Sequence, residues 1–410
     1  MNILNALVYS VIPFVVILVF LVVVHELGHF ITAKMAGIKV LEFGIGYPPK
    51  IWGHRFGKKP APNASPRRSL EERANTSLKY SSRATLEGPG EANEEEEDER
   101  TEYTINALPL GGFVRLLGEE DPSDPRSLAA KPRGIRILVL SAGALMNLLL
   151  PIVLFTADYM IPQQVPVQRV LIQHVAPDSP AQKAGLQAGD QILQIDGDKM
   201  QNIGDVAYAI QLHKGQTMTW EVKRVRDLKT IQVKGRWNPP TEIDPDTGKQ
   251  VQQGATGIHL ATPDTFTQTQ SYPIWQAFPK AVGSTFDSLL LARNQVASWA
   301  IARVAPPVSG PVGIAQATGE VVKQAGWVAL LQFAALLSIN LAIINILPLP
   351  MLDGGKVLFV LVEILRGGKR VAPEKEALVH FVGFVLLLSL VVVISYFDIA
   401  RIVHGGSLLR

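Results

Sequence analysis

The sequence predicts a polytopic α-helical membrane protein with four transmembrane helices and one inserted soluble module. Of its 410 residues, 47% are hydrophobic and 18% are charged, against about 25% charged in an average soluble protein. Residues 3–24 contain no charged side chain, and a run of this length can cross roughly 30 Å of bilayer hydrocarbon. Similar apolar stretches follow at 137–161, 328–347 and 379–396. The first run lacks a basic leader and a small-residue cleavage site, so we expect a retained helix rather than a signal peptide.

Charge balance and cysteine content exclude several classes of function. The 39 basic and 36 acidic residues leave a net charge of +3, and no basic stripe with interleaved aromatic residues is present. General nucleic-acid binding is therefore not expected. The chain has no cysteine, which excludes disulfides, thiolate zinc sites, iron–sulfur clusters and a cysteine nucleophile. Any metal must be bound by His, Asp or Glu.

The distribution of basic residues predicts the topology. Basic residues follow the first apolar run, precede the second, and lie between the third and the fourth. By the positive-inside rule, we expect residues 34–135 and 354–376 in the cytoplasm. Both termini and residues 162–325 are expected on the opposite side.

The chain divides accordingly into membrane helices and connecting regions. Transmembrane helices are predicted at 1–33, 136–161, 326–353 and 377–400. Within the cytoplasmic region 34–135, we expect a disordered insertion at about 54–101, because its end holds seven acids in nine residues. Short apolar runs separated by turns predict a strand-rich module at 166–238. A linker follows at 239–325, with an amphipathic helix at 275–304 that lies against the membrane or the module.

A candidate metal motif ends the first apolar run. In His25-Glu26-Leu27-Gly28-His29, the two histidines are four residues apart, so on a helix both imidazoles point to one side. This spacing suits zinc, and Glu26 can act as a general base on a metal-activated water. The alternative is a pair of surface histidines on a helix. Because charged and polar side chains inside an apolar span are costly without a partner or an ion, we favour metal binding.

The third ligand is expected from another span. Asp353 lies in the segment 345–355, where two prolines and two glycines interrupt the third apolar run. Irregular backbone at membrane depth persists only where it is buried in protein or lines a wet cavity. The alternative is an ordinary turn at the end of a helix in the headgroup region. The predicted topology places Asp353 and both histidines near the cytoplasmic ends of their spans, where they can meet.

These motifs resemble those of the site-2 protease family of intramembrane zinc metalloproteases, in its bacterial type with one extracytoplasmic PDZ domain. The motif at 25–29 is similar to the zinc motif of that family, and 345–355 is similar to its N-x-x-P-x-P-x-L-D-G segment. Residues 43–46 and 108–114 look like its membrane-associated β-hairpin. Residues 179–197 look like a circularly permuted PDZ core.

The resemblance implies a fold with a membrane-associated β-hairpin and one inserted PDZ-like α+β domain. It also implies one zinc ion per chain, bound by His25, His29 and Asp353, with Glu26 as the catalytic base. The hairpin would add a strand to an unwound substrate helix. The residues that it implies for substrate binding are Asn345, Asn147, Gly44, Gly46, Gly111 and Gly112.

The implied reaction is hydrolysis of peptide bonds in the transmembrane segments of single-pass proteins at the cell inner membrane. Family substrates are anti-sigma factors already trimmed by another protease, or remnant signal peptides, and the PDZ domain senses C-termini or excludes untrimmed chains. One alternative is a non-catalytic membrane scaffold whose PDZ domain binds partners, but a scaffold has no use for Glu26. A metal transporter is a weaker alternative, since the second and fourth spans carry almost no polar residues.

Overall fold

A computed structural model describes residues 7–56, 100–243, 250–302 and 309–407. Four of the described helices are long and apolar enough to cross a membrane, as the sequence predicts. They are α1 (Ile12–Met35, preceded by a π-helical turn at Leu7–Val11), α2 (Arg133–Met160), α7 (Ala329–Ile346) and α9 (Pro373–Val403). The predicted acidic insertion lies outside the described residues, except for its two ends.

The chain forms two compact units. The first comprises residues 1–150 and 309–410, and the second comprises residues 151–308.

In the first unit, α1 is followed by a β-hairpin of two long strands, β1 (Val40–Arg55) and β2 (Glu102–Leu116). The first part of β1, residues 40–45, pairs with 112–116 on one side and with 102–105 on the other. The hairpin packs on α1 and α2 through a buried cluster that includes Ala33, Val40 and Val139. The two stretches that resemble the family's β-hairpin, 43–46 and 108–114, therefore lie in one sheet.

Two further helices, neither of which was predicted, complete the first unit. Helix α6 (Pro311–Ala325) precedes α7, and α8 (Asp353–Leu365) follows it. Sequence analysis assigned these stretches to a connecting region and to a cytoplasmic loop, because each is short and bounded by glycine or proline. Helix α6 is held at its N-terminus by the buried carboxylate of Asp398 in α9, which accepts hydrogen bonds from the backbone N–H groups of Gly310 (2.8 Å) and Gly313 (2.9 Å).

A buried carboxylate fixes the far end of α8. Glu363 accepts hydrogen bonds from Arg133 (3.2 Å) and Arg136 (2.6 Å), both at the start of α2. Burial alone would raise the pKa of Glu363, but the arginine hydrogen bonds and charges outweigh it and hold the pKa below its usual value. Helix α8 is therefore tied to α2 by ionised groups.

The second unit is built on a sheet whose strands lie in the order β11 (Ile258–Ala261), β4 (Leu171–Val175), β5 (Gln191–Ile195), β7 (Thr217–Arg224) and β8 (Asp227–Lys234), and β6 (Asp198–Lys199) pairs with β5. Its core surrounds Trp220 and also takes in α3 (Pro180–Ala184) and α4 (Ile203–Leu212). A long helix, α5 (Ile274–Ala302), matches the amphipathic helix predicted at 275–304. The remaining strands of this unit are β3 (Gln163–Gln168), β9 (Thr241–Ile243), β10 (Gln250–Gln252) and β12 (Thr265–Gln270).

The module extends beyond the boundary predicted at residue 238. Strand β11 pairs with β4 and forms one edge of the sheet, so the stretch interpreted as a linker supplies part of the fold. Likewise β12 pairs with β3 along six residues. The turn-rich composition of 239–263 hid β11, because this strand has only four residues and its partner β4 is distant in sequence.

We predict that Asp190→Asn destabilises the module at neutral pH. The carboxylate of Asp190 is 1% exposed and accepts two hydrogen bonds of 2.7 Å from Arg224. Burial favours a raised pKa of Asp190, but Arg224 outweighs it and lowers the pKa. The carboxylate therefore stabilises the fold above its unfolded pKa of about 3.9, and this stabilisation is lost as pH falls through the folded value.

The check is amide hydrogen exchange of β5 and β7 in the full-length chain. Replacing the charged hydrogen-bond acceptor should lower the free energy of opening, as measured by exchange, by about 2 kcal/mol at pH 7. The difference from wild type should shrink toward acid pH. Asp264→Asn removes the exposed ion pair with Arg169 and should change protection by less than about 0.5 kcal/mol. Equal effects of the two substitutions, or an effect independent of pH, would contradict the prediction.

Candidate metal centre

Three predicted ligands come together in the first unit. Nε2 of His25 lies 3.0 Å from Oδ2 of Asp353, and Nε2 of His29 lies 3.2 Å from the same oxygen. The two Nε2 atoms are 3.3 Å apart. Both histidines are buried, and Asp353 is 20% exposed at its side chain. Among the described residues, this is the group of three His, Asp or Glu side chains whose ligand atoms can share an ion.

The donor set fits a tetrahedral zinc ion with three protein ligands. Bonds of about 2.0–2.1 Å at tetrahedral angles place ligand atoms about 3.4 Å apart. The three separations of 3.0–3.3 Å are close to that value. Two imidazole nitrogens and one carboxylate oxygen leave a fourth position open, which is typical of catalytic zinc sites.

The orientation of His29 is fixed by backbone. Its Nδ1 lies 2.8 Å from the carbonyl oxygen of Val139 in α2, and this oxygen can only accept, so Nδ1 carries the proton. Nε2 then keeps its lone pair and faces Asp353. Such a hydrogen bond to the far side of a ligating imidazole is the usual way in which proteins fix its tautomer and ring plane.

A glycine lets α2 approach the two imidazoles. A Cβ atom at Gly143 would lie 2.6 Å from Cε1 and Nε2 of His25 and would also overlap Nε2 of His29. On α1, a Cβ at Gly28 would overlap the backbone carbonyl group of Ala142 in α2. Helices α1 and α2 are therefore in backbone contact at the level of the ligands.

Asp353 reaches the histidines because α7 stops short and the chain turns before α8. The turn places Met351 at a φ of +76°, which is unusual for a residue with a side chain. Its backbone N–H donates to Nδ1 of His380 in α9 at 2.8 Å. A Cβ at Gly383, on the same face of α9, would lie 3.0 Å from Cγ of Pro350. No local sequence pattern links His380 to a turn 29 residues away.

Glu26 lies beside the hairpin. Its Cγ would be 3.7 Å from a Cβ at Gly112, so β2 passes close to the carboxylate that was predicted as the base. Gly46 and Gly111 have positive φ values of +81° and +142°, and Gly44 packs under the ring of Phe113. The glycines predicted to bind substrate thus shape the hairpin next to Glu26.

The two asparagines predicted to bind substrate differ in their surroundings. Asn345 is half-buried near the end of α7. Asn147 in α2 is fully buried, and its Nδ2 lies 3.3 Å from Nδ1 of His25. In α8, Nζ of Lys356 lies 2.6 Å from Oε2 of Glu119, and this ion pair joins the helix to the loop after β2.

Comparison with known proteins finds similarity to a family of peptidases and to proteins named as zinc metalloproteases. The profile of peptidase family M50 matches residues 13–60 and 88–390. A protein of Clostridium perfringens whose name describes a zinc metalloprotease is 34% identical, with 92% of this chain and 95% of that protein covered. Zinc metalloprotease RasP of Oceanobacillus iheyensis and the regulator of sigma-W protease RasP of Bacillus subtilis are each 30% identical, with 96% of this chain and 99% of each relative covered.

A solved structure also matches part of the chain. It is the PDZ domain of the SdrC-like protein from Listeria monocytogenes, which is 26% identical and matches 24% of this chain and 93% of its own, with a TM-score of 0.18.

We predict that Gly143→Ala impairs metal binding. The added methyl group overlaps both imidazoles, and overpacking of this kind costs about 1–3 kcal/mol. Metal bound per chain, measured by elemental analysis of the detergent-purified protein, should fall accordingly. Gly134→Ala is the matched control, because it lies in the same helix with no heavy atom within 4 Å of the new Cβ. Equal metal content in the two variants would contradict the close packing described here.

We also predict that His380→Leu weakens metal binding while His380→Asn preserves it. Leucine leaves the N–H of Met351 without its acceptor, at a cost of about 1–3 kcal/mol to the turn that carries Asp353. The Oδ1 of asparagine sits as far from Cα as the Nδ1 that it replaces, so it can accept the same hydrogen bond. Metal affinity from chelator competition checks this, and an unchanged affinity in His380→Leu would show that the turn holds without α9.

Proposed function

The chain belongs to peptidase family M50, and we propose that it is a zinc metalloendopeptidase that hydrolyses peptide bonds within transmembrane segments. One observation carries the proposal: two imidazoles from an apolar helix and a carboxylate from the break after another apolar helix converge beside Glu26. The names of the relatives, which include zinc metalloproteases and a regulator of sigma-W protease, support it further.

In this proposal each residue of the site has a distinct task. Zinc held by His25, His29 and Asp353 would polarise the scissile carbonyl group and make a water molecule more acidic. Glu26, one residue from the first ligand, accepts the proton of that water and passes it to the departing amine. The Val139 carbonyl keeps His29 in the tautomer that leaves Nε2 free. Gly143 has no side chain, and this leaves room for both imidazoles beside α2.

The hairpin supplies a place for the substrate. A peptide bond inside a helix is shielded by its neighbours, so a transmembrane substrate must become extended before it is cut. Residues 112–116 of β2 pair with 40–45 on one side, and among the described residues no strand pairs with their other side. Gly112 on this strand lies beside Glu26. We propose that an unwound substrate adds a strand at this edge. Asn345 would hold substrate backbone nearby.

The substrates and the setting follow from the same proposal. We place the protein in the inner membrane with the site toward the cytoplasm, and with both termini and the second unit on the other side. Substrates are single-pass membrane proteins, either trimmed anti-sigma factors or remnant signal peptides. The strand-rich second unit acts as a PDZ domain that senses C-termini or excludes untrimmed substrates.

We predict that Glu26→Gln abolishes cleavage of a model single-span substrate while about one zinc per chain remains. Loss of a general base should lower the rate about 10²–10⁴-fold, whereas the three ligands are untouched. The measurement combines a gel-based cleavage assay with metal analysis of the protein in detergent. Glu320→Gln removes another carboxylate of the same unit, one that accepts hydrogen bonds from Gln316 and Ser407, and should retain activity.

Two results would overturn the proposal in different ways. Equal cleavage by wild type and Glu26→Gln would remove Glu26 from the mechanism. Wild-type protein that binds no zinc and cuts no substrate would instead favour a membrane scaffold.

A further inference from the structure

We infer that Asn147 is a positioning residue for His25, whose amide oxygen accepts the Nδ1 proton and so directs Nε2 toward the metal. This inference rests on the metal site proposed above. It differs from the substrate-holding role that the family resemblance implies for Asn147.

The packing of Asn147 places it behind the metal ligands. Its side chain is 0% exposed, and its Nδ2 lies 3.3 Å from Nδ1 of His25. The backbone carbonyl oxygen of Asn147 accepts a 2.7 Å hydrogen bond from Oγ of Ser338 in α7, which fixes this turn of α2. A fully buried amide that faces the back of an imidazole is not placed to grip a substrate backbone.

The chemistry of the ligand decides which end of the amide His25 requires. A neutral imidazole carries one proton, and an Nε2 that binds metal needs its lone pair, so the proton resides on Nδ1. Nδ1–H then needs an acceptor, and the amide oxygen of Asn147 is the acceptor within reach. Oδ1 of Asn147 is itself buried and has no hydrogen-bond partner among the described residues. A half-turn of the amide exchanges Oδ1 and Nδ2, which are alike in shape, and pairs that oxygen with His25.

The second histidine, His29, also has a hydrogen-bond acceptor at its Nδ1, and here the acceptor is a backbone oxygen. His29 donates from Nδ1 to the Val139 carbonyl, an acceptor that the backbone of α2 holds in place. Val139 and Asn147 are eight residues apart on α2, about 2.2 turns, which places them about 80° apart around the helix axis. Both lie on the side of α2 that contacts the histidines of α1. Both ligating imidazoles are thus oriented from behind by the same helix face, one by a backbone oxygen and one by a side-chain oxygen.

The test is zinc affinity, measured by competition with a chromophoric chelator on the full-length chain in detergent. All variants carry Glu26→Gln, so that no cleavage occurs. Asn147→Leu, similar in size but without an acceptor, should weaken zinc binding about 10–100-fold, the usual effect of losing such a partner. Asn147→Asp keeps an acceptor oxygen and should stay within about threefold of the parent. Asn294→Leu, which removes a buried amide of the second unit, should leave the affinity unchanged.

The outcomes separate this inference from the proposed function. Unchanged zinc affinity in Asn147→Leu, together with a raised KM in the active background, would overturn the inference and assign Asn147 to the substrate. A parent that binds no zinc would overturn the metal site itself. If Asn147→Leu does not fold, Asn147→Ala removes the amide without added apolar bulk and should show the same loss of affinity.

Discussion

The convergence of one carboxylate oxygen on two imidazole nitrogens is the interaction on which the first unit depends. Charged and polar groups within apolar helices are costly unless they find each other or an ion. His25 and His29 meet that requirement through Asp353, with separations of 3.0 and 3.2 Å. Because Asp353 is distant in sequence, the chain must bring α8 to α1, and much of the surrounding structure serves that placement.

Asp353 and the histidines are brought together largely by glycines, at which a helix backbone lies directly against a ring. At Gly143, α2 touches both imidazoles, and at Gly383, α9 touches the turn that carries Asp353. A side chain at either position would move a ligand by more than a metal site tolerates, since ligand distances are set within a few tenths of an ångström. The glycines are therefore part of the site, although they contribute no ligand atom.

The sequence predicted the convergence of His25, His29 and Asp353 better than the contacts that support it. The spacing of His25 and His29 on a helix, and the break around Asp353, are local patterns, so both could be read directly. The contact of His380 with Met351 joins two elements whose approach no local pattern reveals. Strand β11 was missed for a related reason, because four residues between turns acquire a strand identity only when β4 lies beside them.

A single stripe of α2 explains why these separate contacts occur together. Positions 136, 139, 143 and 147 follow the three- and four-residue spacing of one helix face. From this face Arg136 binds Glu363 of α8, Val139 orients His29, Gly143 admits both rings, and Asn147 meets His25. Glu363 and Asp353 lie at opposite ends of α8. The stripe therefore binds one end of this helix through Glu363, and it positions the two histidines that Asp353 contacts at the other end. A rotation of α2 about its axis would disturb all four contacts together. This helix therefore acts as the template on which the candidate metal ligands of α1 and of the start of α8 are assembled.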